Sequence, residues 1–178
     1  MKIAICIKQV PDSWAEKKMA GGVLDRAGVD AVLNDLDEYA VEEALRIVEA
    51  NSPTKEAGEG SGHSITLISM GPERATEAIR KALSMGADDA ILVESDDNLD
   101  SYMTAKALKG GIDKSGKTPD LIFAGKQAID SDCLQVPQLL AQMLNLPSVS
   151  VVVGYEGDSS NITLKREIEG GALEVYDC

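Results

Sequence analysis

The segment running from Asp120 to Gln138, DLIFAGKQAIDSDCLQVPQ, restricts the fold of this chain more than any other stretch. Four apolar residues, Leu121, Ile122, Phe123 and Ala124, stop at Gly125, and a polar run follows. Apolar positions then return at helical spacing: Leu139, Leu140, Met143 and Leu144. The pattern predicts strand, loop and helix. In an open α/β sheet such a junction lies at the carboxyl end of a strand, where ligands sit and the free N–H groups of the helix attract an anion. A nucleotide phosphate is the expected occupant.

The rest of the chain repeats the strand and helix alternation. Apolar runs at 3–7, 65–69, 90–93 and 149–153 read as strands, with the first ended by Gln9, Val10 and Pro11. Gly71 and Pro72 open a helix carrying Ala75, Ala78, Ile79, Ala82 and Leu83, which Gly86 ends in the left-handed conformation. A further helix is expected over 101–108. The best-marked helix follows Asn34: Asp35 caps it, Glu38 caps it reciprocally, and Leu36, Ala40, Val41, Ala44, Leu45 and Val48 form its inner stripe. Residues 51–63 read as a mobile surface connection, and 110–118 as a shorter one. After Gly154 the pattern changes to strand pairs, with a turn at Gly170 and Gly171. The expected fold is a doubly wound, mostly parallel α/β sheet flanked by helices, closed by a C-terminal β-hairpin.

Composition fits that fold and excludes several functions. A chain of 178 residues suffices for one α/β domain, taken as residues 1–178, and is short for two. With 44% hydrophobic and only 3% aromatic residues, its core must be built from Ala, Val, Ile, Leu and Met, as in a parallel sheet covered by helices. The formal charge of -13 argues against nucleic acid and against anionic membrane surfaces. No apolar stretch approaches the roughly 20 residues of a membrane helix. Cys6, Cys133 and Cys178 lack metal or redox spacing, and an odd count without a signal peptide or organelle-type leader points to a reducing compartment, the cytoplasm by default.

In the loop, Gly125 permits a sharp turn, Lys126 supplies positive charge, and the amides of residues 131–135 should face outward at the helix start. Asp130 and Asp132 oppose this, since carboxylates favour a helix start themselves and repel an anion there; a capped surface turn is the competing reading. Cys133 sits near a helix N-terminus but beside two carboxylates, which favours an inert thiol, and Cys6 on its apolar strand reads as packing. His63 has no nucleophile suggested as its partner, so no catalytic triad is expected. Neither GxxxxGK[ST] nor GxGxxG occurs.

The loop wording GKQAIDSDCLQVPQ, with the opening KIAICIKQVPDSW, the stretch LNDLDEYAVEEALRI, the phrase SMGPERATEAIRKALSMGADDAILV and the later KREIEGG, resembles the β subunit of electron transfer flavoproteins. The resemblance runs in order from Lys2 to about Gly171. It implies a subunit of a heterodimer that binds AMP structurally and helps an α subunit hold FAD, which takes electrons from acyl-CoA or other dehydrogenases, as in fatty acid oxidation. It implies an electron carrier subunit rather than an enzyme, with no catalytic residue. Its nucleotide residues would be Gly125, Lys126, Gln127, Ala128, Ile129, Asp130, Ser131, Asp132, Cys133, Leu134, Gln135 and Val136, with Cys6, the run Asn34, Asp35, Leu36 and Asp37, and Met70. All lie at or near the carboxyl edge of the expected sheet, as the fold alone requires.

The chain departs from the family pattern where chemistry is at stake. Leu134 and Val136 stand where many members have Asn and Thr, and Pro137 replaces a frequent Gly, so backbone amides must hold the phosphate. This leaves the adenine nucleotide open between a weakly held AMP and another, even a second FAD as in electron-bifurcating relatives. Asp35 and Leu36 replace an Asn-Pro-aromatic pattern whose aromatic lies near the flavin; Trp14 either substitutes for it or packs as a rim residue, and Leu36 reads as core. Arg166, Glu167, Gly170 and Gly171 match the family's hairpin, where turn geometry explains the glycines and an interface role stays open. The family's C-terminal arm and dehydrogenase-docking loop are expected to be absent from this sequence. Two other nucleotide binders share the sheet: a stand-alone module of the universal stress protein type, and an ATP-cleaving enzyme. The first usually shows a GxxG phosphate motif, and the second needs an SGGxDS-like loop where this chain has KQVPDS.

Overall fold

The structure, a computed structural model, describes residues 1–51, 62–158 and 160–178. From the amino terminus, β1 (Lys2–Cys6) leads into β2 (Gln9–Pro11), β3 (Met19–Ala20), β4 (Val23–Leu24) and β5 (Ala31–Leu33), where β2 pairs with β5 and β3 with β4. There follow α1 (Asp35–Asn51), β6 (Ser64–Gly71), α2 (Thr76–Met85), β7 (Asp89–Glu94), α3 (Ser101–Ser115), β8 (Leu121–Ala124) and α4 (Val136–Leu144). The chain closes with β9 (Val152–Gly157), β10 (Ile162–Glu167) and β11 (Leu173–Asp177). Most of the expected surface connection, residues 52–61, lies outside the described residues.

Four strands form a parallel sheet in the order β7-β6-β1-β8. Because side chains alternate across a strand, β1 sends Ile3 and Ile5 to one face and Ala4 to the other. The first face packs on Val41, Ala44 and Ile47 of α1 and on Ala78, Ile79 and Ala82 of α2. The second packs on Ala105, Leu108 and Ile112 of α3 and on Leu140 of α4. Helices therefore cover both faces, which makes the sheet doubly wound. The apolar runs of β1 and β6, buried on both sides, are the sequence signature of this arrangement.

Three local expectations need correction. Residues 110–115 continue α3 rather than forming a connection, and Gly116, at φ 69°, ends the helix. The helix runs through two glycines because its last turns lie against β7: a Cβ on Gly111 would come 2.6 Å from Val93 Cγ2, and Ile112 is buried in the second core. Second, the run at 149–153 adds no parallel strand. Val151 adopts φ 56°, which breaks the extended chain, and β9 starts beyond it in a separate antiparallel sheet of order β11-β10-β9. β-branched residues suit either kind of sheet, so composition alone did not separate the two. Phe123 meets Tyr155 edge-on, with ring centroids 6.3 Å apart, where this sheet touches the first core. Third, Asp35 is the first residue of α1 rather than its cap, and Leu36 is half-buried outside both core clusters. The Asn34 carbonyl instead accepts the N–H groups of Asp37 at 2.9 Å and Glu38 at 3.3 Å. The hairpin of β10 and β11 and the positive φ of Gly170 and Gly171 match expectation, as does the end of α2 at Gly86, although its φ of 129° lies beyond the left-handed helical well.

The two adjacent glycines of α3 give a paired test. Around Gly110 a Cβ would meet nothing within 4 Å, so Gly110→Ala should stabilise the fold by about 0.5–1 kcal/mol through helix propensity. Gly111→Ala should instead destabilise it by about 1–3 kcal/mol through overpacking on Val93. Urea unfolding midpoints should move in opposite directions; a shift of the same sign in both variants would contradict this packing.

Candidate functional site

Strand order places the site. The chain leaves β1 toward α1 on one face and leaves β8 toward α4 on the other, so a crevice opens between the carboxyl ends of these neighbouring strands. Three backbones meet there: residues after β1, the start of α1, and the loop after β8. Gly125 is what lets them meet, since a Cβ on it would fall on Asp37 Oδ1 and lie 2.7 Å from the Leu36 carbonyl.

Asn34, fully buried, pins the loop. Its Nδ2 donates to the Gln127 carbonyl at 2.9 Å, its Oδ1 accepts the Ile129 N–H at 3.2 Å, and its own N–H donates to the Lys8 carbonyl. Beside it, the Asp130 side chain is 1% exposed and takes Lys8 Nζ at 2.7 and 2.9 Å and Arg26 Nε at 2.8 Å. Asp130 is thus a clamp neutralised by two cations, which corrects its expected role as a repulsive charge at the phosphate. Asp132 is exposed and accepts Gln127 Nε2 at 2.8 Å.

The backbone of the loop also differs from expectation. The N–H groups of Ser131 and Asp132 both turn back to the Ala128 carbonyl, at 3.2 and 2.9 Å, and are spent. Those of Cys133, Leu134, Gln135 and Val136 have no acceptor among the described residues, and α4 has no side-chain cap. Asp132 and Leu134 take positive φ, 50° and 53°, and neither Cys133 nor Gln135 does. Alternation of right- and left-handed backbone is the pattern by which successive N–H groups can turn towards a common point. A leucine held at positive φ costs roughly 1–2 kcal/mol, a strain typical of binding loops. Lys126, in the same loop, is exposed.

The remaining expected residues divide. Cys6 and Met70, both half-buried, lie at the carboxyl ends of β1 and β6 and pack against the second core. Burial, reinforced by the Asp37 charge, pushes the Cys6 thiol up to about 12, so it is inert at neutral pH. Cys133 is exposed, its Sγ 3.4 Å from the Ser131 carbonyl. Trp14 stands apart on the ribbon between β2 and β5 at 94% exposure, packing neither on the loop nor as a buried rim residue. Lys8 and Arg26 were missed. Lys8 follows the first strand and was within reach of a careful reading; Arg26 is 104 residues from its partner, and no local pattern announces it.

Residues 21–176 match the family model of the electron transfer flavoprotein domain. This chain belongs to the electron transfer flavoprotein family. It is 42% identical over 177 residues to the electron transfer flavoprotein subunit beta of Mycobacterium tuberculosis, covering 97% of this chain and 64% of that protein. It is 40% identical over 176 residues to the subunit beta of Dictyostelium discoideum, covering 96% and 65%. It is also 32% identical to the acryloyl-CoA reductase electron transfer subunit gamma of Anaerotignum propionicum, over 98% of this chain and 63% of that protein. The chain therefore spans a little under two thirds of the length of these relatives. Among the described residues no helix is long and apolar enough to cross a membrane.

Two carboxylates in this crevice of the flavoprotein domain titrate in opposite senses. Burial pushes Asp37 up to about 6, against hydrogen bonding from Asn34 and the Lys8 and Gly125 amides and against the Lys8 charge. Burial also pushes Asp130 up, but hydrogen bonds and charge from Lys8 and Arg26 outweigh it and hold Asp130 below the usual carboxylate range. Asp37 binds its proton more tightly folded than unfolded, so its contribution is complete below about pH 4 and is lost as pH rises through 6. The Asp130 contribution is present above about pH 4 and lost on acidification. Unfolding free energy should accordingly fall by about 1–2 kcal/mol between pH 5 and pH 8 through Asp37, and Asp37→Asn should flatten that slope. Equal slopes in the two proteins, measured by denaturant titration across pH, would contradict the assignment.

Proposed function

We propose that this chain acts as a β-type subunit of a heterodimeric electron transfer flavoprotein, with an adenine nucleotide, AMP, held structurally by the loop Gly125–Val136. The observation that carries this reading is the run of four unpartnered amides, Cys133 to Val136, at the switch-point crevice and at the uncapped start of α4. These groups fit a phosphate without the hydroxyl and amide side chains that Leu134 and Val136 do not offer. Lys126 adds charge, and Asn34 with the Asp130 clamp holds the loop in shape before any ligand arrives.

In this reading the nucleotide is an anchor and takes no part in redox chemistry. FAD, enclosed with an α subunit, supplies the electron transfer when bound, accepting electrons from acyl-CoA or other dehydrogenases. The residues of this chain contribute shape and electrostatics, so the isolated chain is a carrier subunit and not an enzyme. Trp14, exposed on its ribbon, is the aromatic available to a flavin at the subunit boundary. The -13 charge suits residence in aqueous solution, and we place the protein in the cytoplasm.

Denaturing the purified chain and identifying the released nucleotide by mass spectrometry, with a visible absorption spectrum beforehand, tests this reading. AMP in a colourless protein is the expected result. Bound FAD in the absence of a partner would replace the structural-AMP reading with a two-flavin one, and ATP would overturn the carrier role.

A further inference from the structure

The ribbon between β2 and β5 projects from the sheet and carries the only tryptophan. Its two legs are tied to each other by Asp12 N–H to the Asp30 carbonyl at 2.9 Å and Asp25 N–H to the Lys18 carbonyl at 2.8 Å. The Trp14 main chain is tied to the ribbon by its backbone N–H, which donates to Asp12 Oδ1 at 2.9 Å. It lines a groove together with Leu33, Asp35, Glu38 and Ala78 while staying 94% exposed.

Among the described residues, the side-chain hydrogen bonds between the outer ribbon and the rest of the fold converge on Arg26 and Ala27. Arg26 Nε donates to Asp130 in the loop after β8, and the guanidinium of Arg74, just ahead of α2, donates to the carbonyls of Arg26 and Ala27. Gln9 in turn donates to the Arg74 carbonyl at 3.0 Å. Asp130 belongs to the loop with the unpartnered amides, and among the described residues its other cation is Lys8, which lies on the sheet side and has no hydrogen bond to the outer ribbon. We propose that Arg26 is a positioning residue that couples the Gly125–Val136 loop to the Trp14 ribbon, so that the state of the loop sets where Trp14 stands. This deepens the proposed role and rests on it only where nucleotide is added: the loop, already held by Asn34, keeps Asp130 in place, and through Arg26 the aromatic at the proposed flavin boundary.

The single tryptophan makes the coupling measurable in the full chain by fluorescence anisotropy. Without ligand, Arg26→Gln and Asp130→Asn should each lower Trp14 anisotropy to the same value, and the double variant should lower it no further. Lys8→Gln, which removes the other half of the clamp, should keep the wild-type anisotropy, and Arg26→Lys should restore most of it. Wild-type anisotropy in Arg26→Gln would overturn the coupling, as would an equal fall in Lys8→Gln, which would mark a general loss of stability. With AMP added, calorimetry should show heat while wild-type anisotropy keeps its ligand-free value, because the Arg26–Asp130 pair is already made. A wild-type anisotropy rise that tracks the AMP heat would overturn the preformed coupling from loop to ribbon. Absence of AMP heat would overturn the nucleotide reading instead, while the ligand-free comparison still decides whether Arg26 positions the ribbon.

Discussion

One carboxylate removed from water holds the functional edge of this protein together. Asp130 sits in a loop that would otherwise be a surface turn, yet its side chain is almost fully buried between Lys8 and Arg26. Leaving that charge unpaired would cost several kcal/mol, so the loop, the end of β1 and the projecting ribbon share one low-energy arrangement. Lys8 and Arg26 are each about one third exposed, which lets them keep part of their hydration while neutralising the anion. Asn34 completes the frame by neutral hydrogen bonds to the loop backbone on either side of Ala128. The unpartnered amides of Cys133 to Val136 are thereby set in place by contacts within the fold, the general route by which a loop avoids an ordering cost on binding.

The layer architecture was legible because it follows from periodicity. Runs such as Ile3 to Ile7 and Ile65 to Ser69 have no polar face and so announce strands covered on both sides, and the helix over Asp35–Asn51 shows its inner stripe plainly. What escaped were features set by tertiary contact. The glycine pair in α3 looked like the end of a helix because its local cost is visible and its packing on Val93 is not. The valines at 151–153 looked like a buried parallel strand because β propensity does not record the partner.

The site shows the same division. Its location, Gly125, and the amide-rich entry to α4 could be placed from the strand, loop and helix pattern, and the family resemblance was confirmed over nearly the whole chain. The sign of the Asp130 contribution could not, because it depends on Arg26, 104 residues away in sequence. Asn34 was picked out by resemblance as a ligand neighbour, whereas in the fold both ends of its amide are committed to the loop itself. Under the proposed nucleotide role, the substitution pattern at Leu134, Val136 and Pro137 acquires a physical sense: positive φ at Asp132 and Leu134 aims the backbone, and side-chain donors become dispensable.

Resonance-by-resonance titration of the 15N-labelled chain with AMP tests the central claim most directly, that the switch-point loop is a preformed phosphate cradle. The account predicts saturable amide shifts concentrated on Gly125 to Val136 and Asn34. Saturable shifts confined instead to the opposite edge of the sheet, around the cavity lined by Thr66, Ser115 and Lys117, would contradict it, and so would no saturable shift at all.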